Sequence, residues 1–164
     1  NAVIQSAQPI ISYNYGCGSD DRAKKAFRLA LCTTIVLGIF FDGVFTLLRD
    51  PVVSLFIPDR LDASWKIATH GIPLFATGYT FFGINVVAVG YYMSIEKTGL
   101  ATLFTSLRGI ILPVLCFFVL PLWWGVEGIW LAVPVAEVLT TVTIGISALL
   151  LRPEKHGKIH PVHT

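Results

Sequence analysis

The chain has 164 residues, of which 54% are hydrophobic and only 13% charged, and its mean hydropathy is +0.72. Soluble domains carry about a quarter charged residues, so this composition excludes most soluble classes and favours a membrane protein. Aromatic residues make up 12%, cysteines number three and the net charge is +2, values that argue against a disordered chain, a disulfide scaffold and a nucleic-acid binder.

The first apolar segment, residues 1–15, is shorter than the roughly 20 apolar residues that a bilayer crossing needs. We interpret it as the end of a helix whose beginning is missing. The chain opens at Asn1 and its only methionine is Met93. Either processing has removed a start or, as we expect, these residues are a piece of a longer protein.

Polar side chains and a proline cluster in this first segment. Gln5 and Gln8 are three residues apart and share one helix face. Pro9 leaves a backbone carbonyl one turn earlier without its donor, which bends the helix. Together with Asn14, these residues predict a cavity wall with a hinge at Pro9. The alternative, which we weigh equally, is a packing motif that ends the helix before Gly16.

Four longer apolar stretches follow, separated by short polar joints. Each is long enough to cross a hydrocarbon core of about 30 Å at about 1.5 Å per residue. The sequence therefore predicts an all-α, polytopic transmembrane helix bundle with four complete helices and the end of a fifth, followed by a polar tail at residues 152–164. The predicted spans are residues 26–48, 67–93, 100–122 and 126–151.

The basic residues indicate how this bundle is oriented. The first joint, the third joint and the tail hold nine Lys and Arg, with Arg108 counted in the third joint, whereas the other two joints hold three. Because basic joints face the cytoplasm, we expect a multi-pass protein of the plasma membrane, the inner membrane in bacteria, with a cytoplasmic tail.

Two carboxylates within the predicted spans qualify as candidates, because an ionised side chain costs about 2.5–3.5 kcal/mol near a helix centre and usually faces a cavity or a partner. Glu137 is near the middle of the last span, with Thr140 and Thr141 on the same helix face. We consider it as a proton or cation site; the alternative is a packing hydrogen bond to a neighbouring hydroxyl or amide. Asp42 lies in the outer part of its span, where a solvated or snorkelling role is favoured over ion coupling.

Two further residues complete the candidates for an ion or substrate pathway. Asn85 is a polar group at mid-membrane depth that could line a cavity, although packing against another helix is the favoured alternative. Pro134 lies three residues before Glu137 and is a second hinge candidate beside Pro9. We expect no catalytic residues and no metal site.

Three stretches of the chain match one family in order and spacing. The most specific is QSAQPIISYNYG at residues 5–16, followed after an acidic and basic joint by AFRLAL at residues 26–31. The others are Arg108-Gly109 with Pro113, and GVEGIWLA at residues 125–132 with Pro134 and Glu137. In these stretches the chain resembles the C-terminal half of the multidrug and toxic compound extrusion (MATE) transporters.

The resemblance implies both a fold and an activity. Members have twelve transmembrane helices in two six-helix lobes, with both chain ends in the cytoplasm. On that plan the chain supplies the end of the eighth helix through the twelfth, which is part of the C-lobe. The resemblance implies export of organic, cationic or amphipathic compounds in exchange for sodium ions or protons, without a cofactor. Its partners are then the missing N-terminal lobe, the lipid bilayer, the coupling cation and small organic substrates.

The chain departs from the family at the coupling site. Some members place a cation-binding acid in the tenth helix, but the corresponding stretch here, residues 79–85, carries no carboxylate. Other members use an acid in the first helix, which lies outside this sequence. Both sodium and proton coupling therefore stay open.

Two other functions stand as alternatives. A lipid-linked saccharide flippase of the same superfamily shares the two-lobe helix plan, and a non-transporting membrane scaffold subunit belongs to a different class. The sequence has no Gly-rich loop with Lys for a nucleotide phosphate and no Ser, His and Asp arrangement on a soluble scaffold. We therefore expect neither an ATP-driven pump nor an enzyme.

Overall fold

The backbone polar groups of a bilayer crossing have to be satisfied within the segment, which favours helices. The computed structural model describes residues 1–150, and all of its elements over that range are helices, as predicted. The predicted tail at residues 152–164 and the last residue of the final predicted span lie outside the described residues. The elements are α1 (Ala2–Gly16), α2 (Asp20–Leu47), α3 (Arg49–Phe56), α4 (Ala63–Ala76), α5 (Gly78–Ser94), α6 (Thr98–Ser106), a π-helical turn (Leu107–Ile111), α7 (Leu112–Trp124) and α8 (Val126–Leu150).

Four helical segments are long and apolar enough to cross a membrane, which confirms the predicted fold class. They are α2, the pair α4 and α5, the run from α6 through the π-turn to α7, and α8. The helices extend beyond the apolar stretches into polar residues: α2 begins at Asp20 rather than at Ala26. Asp20 and Asp21 occupy its first turn, where negative side chains interact favourably with the helix dipole.

The second span is interrupted between α4 and α5. Pro73 lies inside α4, and the hydroxyl of Thr77 donates to the carbonyl of Leu74 at 2.7 Å, just before α5 begins at Gly78. This interruption packs against α8, because a Cβ atom at Gly78 would lie 3.2 Å from the Cα atom of Pro134. The hinge candidate of α8 therefore faces the interruption in the second span.

Helix α5 lies in the middle of the bundle, where it contacts α1, α2, α6 and α8. Its buried side chains Val87 and Ala88 belong to one apolar cluster with Ile4 of α1, Ala30 of α2 and Phe104 of α6. Helix α7 packs on α8 through a second, smaller cluster. Large apolar side chains on the outer faces of α2 and α7 are exposed, as expected for surfaces that contact lipid.

The helices α2 and α5 approach each other at small residues. Gly38 lies against Thr80, since a Cβ atom built on Gly38 would lie 2.6 Å from the Cα atom of Thr80. Gly83 of α5 faces the methyl group of Thr34 in the same way. Small residues let the backbones of membrane helices come close together. These contacts therefore fix the distance between α2 and α5.

Replacing Gly38 with alanine (G38A) inserts a methyl group where the backbone of α5 already lies. We expect the free energy of unfolding to fall by about 1–3 kcal/mol, the usual cost of overpacking. The matched control is G43A in the same helix, because nothing lies within 4 Å of a Cβ atom at Gly43. Denaturant unfolding of both variants in detergent micelles measures the difference, and equal stability of G38A and G43A would contradict the close contact.

Candidate functional site

The carboxylate of Glu137 is the centre of a polar network inside the bundle. Glu137 lies midway along α8 and is 5% exposed. Its Oε1 accepts a hydrogen bond from Arg108 Nε at 3.0 Å, and its Oε2 lies 3.1 Å from the same nitrogen. Oε2 also accepts from Asn85 Nδ2 at 2.7 Å. A single carboxylate on the fourth span is thus bound to the second and the third.

The amide of Asn85 on α5 completes this network. Asn85 is fully buried, and its Nδ2 group also donates to the backbone carbonyl of Glu137 at 2.8 Å. Its Oδ1 accepts from the hydroxyl of Thr141 at 2.9 Å. Both the nitrogen and the oxygen of the amide are therefore hydrogen-bonded to α8. Asn85 lines neither of the two cavities of the bundle that border Ile4 and Val86. Asn85 therefore joins α5 to α8 through its side-chain hydrogen bonds.

The guanidinium of Arg108 reaches Glu137 from the π-helical turn of the third span. Pro113, four residues after Gly109, has no backbone N–H to donate to the carbonyl of Gly109. The backbone N–H of Leu112 donates to the carbonyl of Leu107, five residues earlier, which is the π-helical spacing. Single π-turns of this kind are frequent at functional sites. The guanidinium carbon lies 4.2 Å from the ring centroid of Phe82, a cation–π contact with α5.

The position of Arg108 corrects the charge count. Arg108 was counted as a residue of the third joint, but it lies within the continuous helical segment Thr98–Trp124, with 19% of its side chain exposed. The more basic side of the bundle then carries eight joint and tail cations rather than nine, still against three. The sequence does contain a signal for a membrane-embedded arginine: Arg108 lies inside an apolar run, a few residues before Pro113.

The ion pair offsets part of the cost of burying each charge. An isolated carboxylate or guanidinium in the apolar interior is strongly disfavoured. Paired, Arg108 and Glu137 are neutral together, and Asn85 supplies the carboxylate with a further donor. The network therefore holds three spans together at one point.

Asp42 on α2 has a different environment. Its Oδ2 accepts a hydrogen bond from the hydroxyl of Thr80 at 2.7 Å, while its Oδ1 is buried without a hydrogen-bond partner. Within residues 1–150 it forms no ion pair. We expected a solvated or snorkelling side chain, but the carboxylate turns towards α5 instead, because Thr80 lies opposite it across the close α2 and α5 contact.

Two adjoining cavities open beside these groups. The first, of about 360 Å³, lies between α1, α2 and α5 and has an aromatic wall. The second, of about 230 Å³, is bordered by Gln5, Gln8 and Arg108. Both glutamines of α1 therefore lie at a cavity wall, together with Arg108, which the charge pattern predicts in a polar joint. The aromatic wall consists of Phe41, Phe45, Tyr79 and Phe82, and the two cavities share Asn1, Ile4 and Val86.

The remaining candidates lie apart from this group. Asn14 donates from Nδ2 to the carbonyl of Ile10 at 2.7 Å, a local bond within α1, and borders neither cavity. Pro9 is exposed in α1, which continues as a helix to Gly16. Pro134 is buried in α8. Residues 1–150 contain no group of three His, Cys, Asp or Glu side chains that could hold a metal ion.

The fold is that of a multi-pass membrane protein, and its helix bundle holds a buried ion pair at the border of a cavity. The MatE family model matches residues 2–118, more than half of the chain. The chain therefore belongs to the MATE family, whose members are transporters rather than enzymes. Comparison with curated proteins and with solved structures finds no match.

Removing either partner of the buried ion pair leaves the other charge without compensation. We expect R108A and E137A each to lower the free energy of unfolding by about 3–5 kcal/mol, and the double variant to lose less than the sum. The control is E127A, which breaks the exposed pair of Glu127 with His70 and should cost less than about 1 kcal/mol. Additive losses in R108A/E137A would show that the two side chains do not interact.

Proposed function

We propose that the chain is part of a secondary antiporter that exports organic, cationic compounds, including drugs and other toxic molecules, in exchange for sodium ions or protons. Membership of the MATE family supports transport in general. The observation that carries the more specific proposal is the cavity with an aromatic wall, in which Phe41 directly precedes the spanning-segment carboxylate Asp42, because aromatic faces and a carboxylate both attract organic cations.

The two intramembrane carboxylates favour different roles in this antiporter. Glu137 is neutralised by Arg108 and bonded to Asn85, so it has no need of an exchangeable cation. Asp42 has one buried oxygen without a partner and makes no ion pair within residues 1–150. A carboxylate in that state gains from binding a proton, a sodium ion or a cationic substrate. We therefore assign the exchange role to Asp42 and a structural role to Glu137.

Alternating access requires that a second lobe close the cavity from the other side. The proposed protein is therefore longer than the described chain, with an N-terminal lobe opposite these spans. The basic joints and tail support a plasma-membrane location with the tail in the cytoplasm. Prolines at interrupted or bent helices, such as Pro134 beside Gly78, would absorb the movement of the lobe.

The variants D42N and E137Q test this assignment in the complete transporter, reconstituted into liposomes. Export of a fluorescent organic cation is driven by an imposed sodium or pH gradient. D42N should slow ion-driven export at least about tenfold, because an amide cannot exchange a counter-ion. E137Q should lower the amount of folded protein, while the number of ions moved per substrate stays as in the parent protein.

Substrate-dependent export by the parent protein also separates an antiporter from a flippase or a scaffold. Export by D42N at the parental rate would remove Asp42 from the ion pathway. A changed ion stoichiometry in E137Q would instead give Glu137 the coupling role.

A further inference from the structure

The short helix α3 has an apolar side that no other part of the described chain covers. It connects the end of α2 to the start of α4, so it lies where two spans leave the apolar layer. Leu48, Leu55 and Phe56 are exposed and share one side of the helix, because they are seven and eight residues apart. The indole Nε1 of Trp65 on α4 donates to the hydroxyl of Ser54 at 3.2 Å and holds α3 in place. Such a helix lies in the plane of the membrane surface.

A polar cavity of about 300 Å³ opens between α3 and α4, apart from the two cavities beside α1. The hydroxyl of Thr69 is already used, since it donates to the backbone carbonyl of Trp65 at 2.9 Å. The imidazole of His70 pairs with Glu127 of α8 at 3.1 Å, which ties this wall of the cavity to the last span. The residues that line the cavity are Arg49, Asp50, Trp65, Thr69 and His70.

The two remaining charged groups are available to a ligand. Arg49 Nε lies 3.5 Å from Asp50 Oδ1, both side chains are about half exposed, and residues 1–150 give them no other polar partner. A guanidinium carries five N–H donors in a planar fork that matches a phosphate group. The carboxylate accepts hydrogen bonds from an ammonium group. Because the two charges cancel, a ligand with one charge of each sign is compensated here and a simple anion is not.

We propose that this cavity binds the headgroup of a zwitterionic glycerophospholipid that carries a primary amine, with the phosphate on Arg49 and the ammonium group on Asp50. The acyl chains then lie against the exposed apolar side of α3 and against Leu47 at the end of α2. The indole of Trp65 borders the cavity at the level where tryptophan side chains meet lipid headgroups. The site goes beyond the proposed function, since lipid bound here does not depend on which compound is exported.

Native mass spectrometry of the complete transporter in detergent counts the lipids that stay bound. Phosphatidylethanolamine and the anionic phosphatidylglycerol, with the same acyl chains, are added in equal amounts. The parent protein should retain the ethanolamine lipid at least about fivefold better. R49Q should lower retention of this lipid about tenfold, because the fork that holds the phosphate is lost. D50N should bring retention of the two lipids to within about twofold, because nothing then compensates the ammonium group.

The matched controls are K66Q and D59N, which each remove one charge from the same joint. Lys66 and Asp59 are exposed and do not line the cavity, so both variants should keep the parental preference. The preference is a ratio of two lipids, and all four variants change exposed or half-exposed side chains. A general loss of folded protein therefore does not mimic the result.

Cross-linking locates the lipid independently. A photoactivatable phosphatidylethanolamine with a diazirine in its acyl chain should label residues 47–56, at least about fivefold less in R49Q than in K66Q. The soluble headgroup glycerophosphoethanolamine, at the same concentration as the lipid, should leave this labelling unchanged, because it lacks the chains that contact α3. Equal retention of the two lipids by the parent protein would overturn the inference. So would a full preference in D50N, unchanged labelling in R49Q, or displacement by the soluble headgroup, which would indicate a site for soluble phosphoesters.

Discussion

The low dielectric of a bilayer makes the ion pair between Arg108 and Glu137 the contact on which the rest of the bundle depends. Neither charge is tolerated alone among apolar helices, so the two segments that carry them have to meet. Asn85 adds the second span to the same carboxylate. Since neighbouring residues of a helix point about 100° apart, a shift of α8 by one residue would separate Glu137 from both partners. One buried carboxylate thereby sets the rotation of three spans.

The irregular backbone of these spans is concentrated around that contact. The π-turn presents Arg108, and the interruption at Gly78 packs on Pro134, one helical turn before Glu137. Irregular backbone at membrane depth is tolerated only where protein or a cavity covers it. Secondary transporters place their binding sites at such interrupted helices. In this bundle Tyr79, next to the interruption, borders the first cavity, and Arg108 of the π-turn borders the second.

Hydrophobic segment length was sufficient to predict the four spans and the all-α class, because the bilayer thickness constrains it directly. The cost of burying polar groups identified Glu137 and Asn85 separately, but their hydrogen bond joins residues far apart in the chain and follows only from packing. The position of Arg108 inside a span was not predicted, because every basic residue was assigned to a joint. Its partner Glu137 lies on another helix, so the sequence alone does not reveal the pairing. Asp42 was expected to snorkel, since the sequence does not reveal that Thr80 lies opposite it.

The two intramembrane carboxylates differ in how their charge is compensated, which is the basis of the separate roles that we propose for them. A carboxylate with a permanent cationic partner is already compensated, so it gains little free energy from binding a further ion. A carboxylate with a buried oxygen that accepts no hydrogen bond gains more free energy when a cation binds to it. The first kind, Glu137, lies where three spans join. The second, Asp42, lies at the contact of α2 with α5, one residue after Phe41 of the aromatic wall. In the antiporter that we propose, this separation would let ions or substrates exchange at Asp42 without breaking the contact that holds the spans together.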